Sequence, residues 1–229
     1  MMTHATAAHL AFLHTARPNI ELFSGLMARI APSVPTRHEL LETVLQSAVG
    51  TGTVNDTMRQ QTETALRALA DSGAALVVCT CSTIGGIAEA TTLHDGSRVM
   101  RIDRPMAEEA VTSGRRIRVA ATLPSTLPPT VALIEQVAAE MHLPVVIVEQ
   151  LCPDAWPLFQ QGDRPAYAQA IADAVVAAAD PEDVVVLAQA SMAPAEPLLN
   201  ARGIRALSSP ELGVRAAVDA YRRAVAAAE

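Results

Sequence analysis

The chain has 229 residues, of which 50% are hydrophobic and 18% charged, so it can bury a sizeable core as one two-lobed domain or two small ones, and disorder is not expected. The net charge is −7, no basic stripe is present and aromatic residues make up only 3%, which argues against nucleic acid or an anionic membrane as a partner. Neither a leader pattern nor an apolar run of membrane-spanning length is seen, and the cysteine count is three, so we expect a cytoplasmic protein without a disulfide framework.

Short apolar runs alternate with helical patterns along the chain. Strands are predicted at residues 10–13, 76–79, 99–102, 117–120, 145–148, 184–187 and 204–207, with a weaker signal near Val34. Helices are predicted between them, for example at residues 57–70, 130–141 and 166–179. This alternation predicts an α/β fold with parallel sheets and helices on both faces.

The strand signals also repeat. Four signals, at Leu10, Val34, Leu76 and Val99, recur in the same order at offsets of 105 to 111 positions. Leu10 and Ile117, for example, are 107 positions apart. The repeat predicts two similar lobes, each a parallel sheet of about four strands flanked by helices. We expect residues 1–104 with 209–229 to form the N-terminal lobe and residues 105–208 the C-terminal lobe.

Small polar residues follow four of the predicted strands. In open parallel sheets, ligands bind outside the carboxyl ends of the strands, so these residues are expected to line one cleft between the lobes. They are His14 and Thr15, the run Thr80-Cys81-Ser82-Thr83, the group Thr122, Ser125 and Thr126, and the pair Gln189 and Ser191.

Cys81 is the residue best suited to carry chemistry. It lies between a strand and a helix start, where the positive end of the helix dipole favours a thiolate. The structural alternative is a small buried apolar residue, which suits Cys79 at the end of the apolar run. A metal on the Cys79-Thr80-Cys81 segment is the weaker alternative, because no other Cys/His pair stands at ligand spacing. We therefore expect no metal at this segment.

Hydroxyls and backbone amides at strand ends suit a carboxylate. The hydroxyl candidates for its oxygens are Ser82, Thr83, Ser125, Thr126 and Ser191, and the alternative role for each is helix N-capping.

Three further groups are weighed against structural roles. His14 is suited to proton transfer near neutral pH, although a lone histidine is more often structural. The pair His94-Asp95 before Gly96 is typical of a turn, and the arginines at 115, 116 and 118 are expected to be solvated.

Four segments of the chain resemble those of a known family. Residues 77–83, Val-Val-Cys-Thr-Cys-Ser-Thr, resemble the first cysteine motif of the aspartate/glutamate racemase superfamily, where a strand leads into Cys-Asn-Thr or Cys-Ser-Ser. Residues 101–110 resemble the segment that follows this motif in the family. Residues 117–122, with Ser125 and Thr126, resemble the opening of the family's second half. Residues 12–15 resemble its first strand and loop. The resemblance covers most of the chain and implies two pseudo-symmetric α/β lobes with the site between them, without metal or pyridoxal phosphate.

The resemblance fails at one position. In the family's racemases, two cysteines face the α-carbon of the substrate from opposite sides, one removing a proton and the other returning it. Residues 183–192 carry no cysteine, and Gln189 stands near the expected position. Neither Gln189 nor Ser191 is an acid or base at ordinary pKa values. Two-thiol racemisation is therefore not expected.

The family implies a cofactor-independent racemase or isomerase acting on a small carboxylic acid through Cys81 alone. A decarboxylase is the second choice, since related members use one thiol for decarboxylation or isomerisation. Gln189 and Ser191 are expected to donate hydrogen bonds to an enolate, and Thr15 and Thr122 to contact the substrate.

Two rival classes stay open. One is a thiol hydrolase in which Cys81 attacks an acyl carbon with His14 as its partner. The other is a carboxylate-binding protein that has lost turnover. The expected partner is a small carboxylate, with no nucleic acid or membrane, and a homo-oligomer is left open.

Overall fold

The structure, a computed structural model, describes residues 8–44, 54–93 and 97–227, so the predicted turn at His94-Asp95 lies outside the described residues. The chain divides into two units, Met1–Ile102 with Gly213–Glu229, and Asp103–Leu212. Each unit is built on its own parallel sheet.

The N-terminal unit has the sheet order β2-β1-β3-β4. Its elements are β1 (His9–His14), α1 (Pro18–Ile30), β2 (Thr36–Leu40), α2 (Asp56–Asp71), β3 (Ala74–Cys79), α3 (Ser82–Ala90) and β4 (Arg98–Arg101), and most of the C-terminal helix (Ser209–Ala226) belongs to it. The strands pair in parallel, so His14 and Cys79 end at the same edge of the sheet.

The C-terminal unit has the equivalent sheet order β6-β5-β7-β8, again all parallel. Its elements are α4 (Arg104–Ser113), β5 (Arg116–Ala121), α5 (Leu127–Glu140), β6 (Val146–Leu151), α6 (Trp156–Gln160), α7 (Arg164–Ala178), β7 (Asp183–Leu187), α8 (Ala195–Asn200) and β8 (Arg205–Ser208). Single 3-10 turns cover Pro124–Thr126, Pro153–Ala155 and Ala190–Met192.

The matching sheet orders confirm the predicted fold class of two similar α/β lobes. The central strands β1 and β7 are buried along their whole length, which explains their continuous apolar runs. No residue of the edge strands β2 and β6 is fully buried. The polar residues of β2 explain its weak sequence signal, and the strand begins at Thr36 instead of near Val34. Strand β6 begins at Val146 and extends beyond the predicted 145–148 to Leu151.

Helices α2 and α3 contribute apolar side chains to the core of the N-terminal unit. Helix α2 begins after Asn55, whose side chain accepts a hydrogen bond from Met58 N at 3.0 Å. It turns Met58, Leu66 and Leu69 towards the core, at the spacing of one helix face. Burying each leucine contributes about 1.5–3 kcal/mol relative to exposure. Ile84 of α3 packs in the same cluster.

The expectation that the arginines near residue 116 are solvated is wrong for Arg118, which is 6% exposed. Its Nε donates to Asp183 at 2.6 Å, and Arg116 Nε donates to the other carboxylate oxygen at 2.7 Å. The cause is the strand register, which pairs Arg116 with Asp183. Burial alone raises the pKa of Asp183, but its hydrogen bonds outweigh that effect and leave the pKa below its ordinary value.

Candidate active site

Cys81 lies in the turn that joins β3 to α3. It directly precedes Ser82, the first residue of the helix, and its backbone is extended at φ −113° and ψ 116°. The side chain makes no capping hydrogen bond and is partly exposed. The turn thus places the thiol at the N-terminus of a helix, the end that carries the positive pole of the helix dipole.

The other two cysteines have different surroundings. Cys79 is 0% exposed, and its Sγ donates to the backbone oxygen of Cys81 at 3.6 Å. Cys152 is buried in the C-terminal unit, and burial raises the pKa of its thiol to about 11. Among the three thiols, Cys81 is therefore the one that a solute reaches and the one placed at a helix N-terminus.

The predicted hydroxyl residues beside Cys81 are not helix caps. Ser82 and Thr83 belong to the first turn of α3 itself, and each is 7% exposed. Thr15, just after β1, is 2% exposed at the same edge of the sheet. The capping alternative therefore does not apply to Ser82 and Thr83, because the capping position is taken by Cys81.

The ring of His14 is hydrogen-bonded to Thr80 and His38. Its Nδ1 lies 2.8 Å from Thr80 Oγ1 and its Nε2 lies 2.9 Å from His38 Nδ1. The side chain is 0% exposed. Burial, and after it the His38 ring, lower the pKa of His14 to about 3, and burial also lowers the pKa of His38. Both rings are neutral at physiological pH, when each has one donor and one acceptor nitrogen.

In the C-terminal unit, the side chain of Gln189 is fixed by hydrogen bonds to its carbonyl oxygen. Oε1 accepts hydrogen bonds from Thr122 N at 2.7 Å, Thr122 Oγ1 at 2.9 Å and Leu123 N at 3.3 Å. Two of the three donors are backbone amides, so the oxygen and not the nitrogen must face them. The amide nitrogen of Gln189 is left on the other side, where its two hydrogens are available as donors.

Tyr167, a residue that sequence reasoning missed, links the other members of this group. Its hydroxyl lies 3.0 Å from Ser191 Oγ and 3.4 Å from Thr122 Oγ1. The side chain is 0% exposed, and burial raises the pKa of the phenol. Tyr167 comes from the predicted helix at 166–179, where a tyrosine is equally typical of core packing, so no local pattern marked it.

The hydroxyl of Ser125 is a further feature of this group. Its Oγ is buried without a hydrogen-bond partner among the described residues, in the 3-10 turn ahead of α5. Thr126, the residue before α5, is 4% exposed and makes no capping hydrogen bond through its side chain. Leaving a buried hydroxyl without a hydrogen-bond partner costs about 1–3 kcal/mol of stability. A hydrogen bond to an oxygen atom of a bound ligand offsets this cost.

The predicted residues thus form two groups, one in each unit and each at the carboxyl edge of its own sheet. His14, Thr15, Cys81, Ser82 and Thr83 lie in the first group, and Thr122, Ser125, Thr126, Gln189 and Ser191 in the second. That both groups serve one substrate stays a prediction. The described residues contain no cluster of three or more His, Cys, Asp or Glu side chains able to hold a metal ion. None of the helices in the described part of the chain is long and apolar enough to cross a membrane.

Comparison with known proteins identifies the fold. No family model and no curated protein sequence matches the chain. The structure is similar to glutamate racemase RacE1 from Bacillus anthracis, with a TM-score of 0.67, 12% identity, and coverage of 95% of this chain and 83% of that one. It is similar to aspartate racemase from Picrophilus torridus, with a TM-score of 0.67, 11% identity, and coverage of 94% and 95%. It is also similar to unliganded arylmalonate decarboxylase, with a TM-score of 0.54, 16% identity, and coverage of 94% and 93%.

Proposed function

Because the chain has the fold of the aspartate/glutamate racemase superfamily, we propose that it is a cofactor-independent enzyme of the racemase or isomerase type that acts on a small carboxylic acid through one thiol, Cys81. The observation that carries the proposal is the asymmetry between equivalent strand ends. After β3 a thiol stands at a helix start, whereas after β7 the side chain of Gln189 is held by Thr122 and Leu123.

The first step assigned to Cys81 is proton removal at the carbon next to the carboxylate. The thiolate takes the proton, the C–H electron pair moves into the carboxyl group, and an enolate forms. Ser82, Thr83, Ser125 and Thr126 hold the carboxylate oxygens in this proposal, and the unpartnered Ser125 hydroxyl supports that role. Preorganised donors at a developing oxyanion typically contribute a few kcal/mol.

Gln189 is assigned a hydrogen-bonding role and no proton transfer. Its carbonyl is occupied by three donors, so its free Nε2 hydrogens can donate to the enolate. An amide does not release a proton at neutral pH. The proton must therefore return from Cys81 or be supplied by solvent. Ser191 adds a donor that Tyr167 orients.

A decarboxylase is the second candidate. Loss of carbon dioxide from an activated di-acid generates the same enolate without proton abstraction, and Cys81 then acts only as the acid. This reaction needs one thiol and consumes one solvent proton per turnover. The structural similarity to arylmalonate decarboxylase favours this candidate over the thiol hydrolase and over a carboxylate-binding protein without turnover.

The test is incubation with a panel of small di-acids and α-substituted acids in deuterated water, followed by proton NMR. We expect deuterium uptake or isomerisation for an isomerase, and carbon dioxide release for a lyase. Cys81→Ala should abolish the activity, because Cys79, the other thiol at this strand end, is 0% exposed and cannot take its place. Cys152→Ser, which removes a buried thiol in the other unit, is the matched control and should retain it.

Two further results decide between the alternatives. Full activity in the Cys81→Ala variant contradicts the proposal, and a stable acyl group on Cys81 indicates a hydrolase. Gln189→Cys supplies the second thiol that the family's racemases use. We expect this variant to racemise, weakly, an acid whose α-hydrogen the wild-type protein exchanges with solvent at one face only.

A further inference from the structure

Tyr167 is a buried phenol behind the polar side chains that follow β7. It lies on α7 and is 0% exposed, whereas Gln189 and Ser191 are partly exposed. The Tyr167 hydroxyl lies 3.0 Å from Ser191 Oγ and 3.4 Å from Thr122 Oγ1. A ligand at the end of β7 therefore meets Gln189 and Ser191 directly, and it feels Tyr167 only through these neighbours.

The hydroxyl hydrogen of Thr122 is committed to Gln189. Gln189 Oε1 carries no hydrogen, so in its 2.9 Å contact with Thr122 Oγ1 it can only accept. The same oxygen accepts from Thr122 N at 2.7 Å and from Leu123 N at 3.3 Å, and these donors occupy its lone pairs. Gln189 consequently offers a ligand only the hydrogens of Nε2.

The hydroxyl hydrogen of Tyr167 belongs to Ser191. Thr122 has already given its hydrogen to Gln189, so it cannot donate to Tyr167 as well. Ser191 Oγ, at 3.0 Å, lies within the usual range of an O–H···O hydrogen bond, whereas Thr122 Oγ1, at 3.4 Å, lies beyond it. If Ser191 donated to Tyr167 instead, the buried phenol hydrogen would have only the long contact with Thr122. The phenol therefore donates to Ser191.

The direction of this bond decides what Ser191 offers a ligand. Because its oxygen accepts from Tyr167, its own hydrogen points elsewhere. Within the described part of the chain, Tyr167 is the one side chain to which Ser191 is hydrogen-bonded, so the Ser191 hydrogen is available. Burial raises the pKa of Tyr167, which keeps the phenol protonated and hence a donor at physiological pH.

We propose that Tyr167 is a positioning residue that fixes Ser191 as a hydrogen-bond donor, so that Ser191 and Gln189 form a donor pair for a deprotonated carboxyl group of the substrate. Both oxygens of a carboxylate accept, so the group satisfies both donors. An amide NH2 or an ammonium group facing the same pair meets hydrogens with hydrogens. The inference rests on the proposed function and narrows its substrate to an acid with a carboxylate at the end of β7.

Malonate and malonamide test the donor pair in wild-type protein. The two compounds are alike in shape, but malonamide carries NH2 groups where malonate carries oxygens. In nitrogen-15 correlation spectra, we expect malonate to shift the side-chain NH2 signals of Gln189 saturably and malonamide to leave them unmoved. The variant Gln189→Leu assigns these signals. An equal response to malonamide, or no response to malonate, overturns the inference.

Tyr167→Phe tests the positioning role, because it removes the hydroxyl and keeps the ring that packs against Phe159. Ser191 can then turn its hydrogen away from the ligand, so malonate should bind about tenfold more weakly. Tyr221→Phe is the matched control, since Tyr221 is another buried tyrosine and donates to Ala8 O at 2.8 Å, outside this group. The control should bind malonate like wild type. Tyr167→Phe protein that binds malonate as tightly as wild type refutes the positioning role.

A fluorinated ring separates hydrogen bonding from packing. The chain has two tyrosines, so 3-fluorotyrosine incorporated into Tyr221→Phe protein replaces Tyr167 alone. The fluorine makes the phenol a stronger donor with little change in size, and hydrogen bonds in a chain strengthen one another. Malonate should bind about twofold more tightly to the fluorinated protein than to Tyr221→Phe itself. Equal or weaker binding contradicts the proposed direction of the bond.

Turnover of the acid panel keeps this inference separate from the proposed function. If wild-type protein turns over an acid but malonate leaves the Gln189 signals unmoved, the donor pair is wrong and the proposed function stands. If malonate binds as expected and no acid is turned over, the donor pair is supported and the proposed function fails.

Discussion

Among single residues, the cysteines show how position decides chemistry. Cys79 and Cys81 are two positions apart, yet the first is enclosed in the core and the second begins a helix. The hydrogen bond from Cys79 Sγ to the oxygen of Cys81 helps to fix the turn. Cys79 thus helps to hold the backbone of the turn, whereas Cys81 is the thiol that solutes can reach.

The order in which the thiols react with iodoacetamide follows from these surroundings. Near neutral pH, Cys81 should be alkylated about tenfold faster than Cys79 or Cys152, because it is partly exposed whereas the other two thiols are buried. Cys152 should be slowest, since burial raises the pKa of its thiol to about 11. Peptide mass spectrometry of native protein after short labelling times measures the order. Earlier labelling of Cys79 or Cys152 refutes the assignment.

Among the elements, helix α3 is held against β4 by a close contact. A Cβ added at Gly85 would lie 2.8 Å from Nε and 2.9 Å from Cζ of Arg101, a residue that is only 3% exposed. The neighbouring Gly86 has nothing within 4 Å of such an atom. The glycine at 85 therefore lets the buried guanidinium pack against the helix that begins at Cys81.

Two alanine variants of α3 should behave oppositely. Gly85→Ala should lower the free energy of unfolding by about 1–3 kcal/mol, because the buried Arg101 side chain must move. It should also slow alkylation of Cys81 by shifting the helix start. Gly86→Ala should be neutral or stabilising by about 0.5–1 kcal/mol, since alanine favours a helix interior over glycine. Urea unfolding of both variants makes the comparison, and equal effects contradict the packing argument.

For the molecule as a whole, the free energy of unfolding depends on pH through the buried imidazole of His14. His14 has a pKa of about 3 in the folded protein and about 6.5 when unfolded. Between these values the unfolded chain binds one proton more at this position than the folded chain. The free energy of unfolding therefore falls as the pH drops through this window, and it does not depend on His14 above pH 6.5.

Replacing His14 should flatten this dependence. In His14→Gln the slope between pH 3 and 6.5 should be smaller by up to about 1.4 kcal/mol per pH unit, which corresponds to one proton. The variant should be less stable than wild type at pH 7, because a glutamine cannot bond Thr80 and His38 together in the same geometry. Urea unfolding at four pH values measures both slopes. Parallel pH profiles contradict the linkage.

The sequence by itself determined the architecture, and it singled out Cys81 as the candidate thiol. The buried strands β1, β3 and β7 have continuous apolar runs, β5 has one that Arg118 interrupts, and the regular recurrence of these runs revealed two like halves. Cys81 followed from its place between an apolar run and a helix start. These features are local, because strand burial and helix initiation depend on residues close together in the chain.

Tertiary structure decided the partners of the polar side chains. His14 bonds His38, 24 positions away, and Gln189 bonds Thr122, 67 positions away. Neither pairing has a local signature, since each depends on which strands become neighbours and in what register. The same holds for Arg118 and Asp183, whose buried ion pair exists because β5 lies beside β7. A hydrogen bond is short-ranged, so its partner is set only once the sheet has brought distant strand ends within about 3 Å.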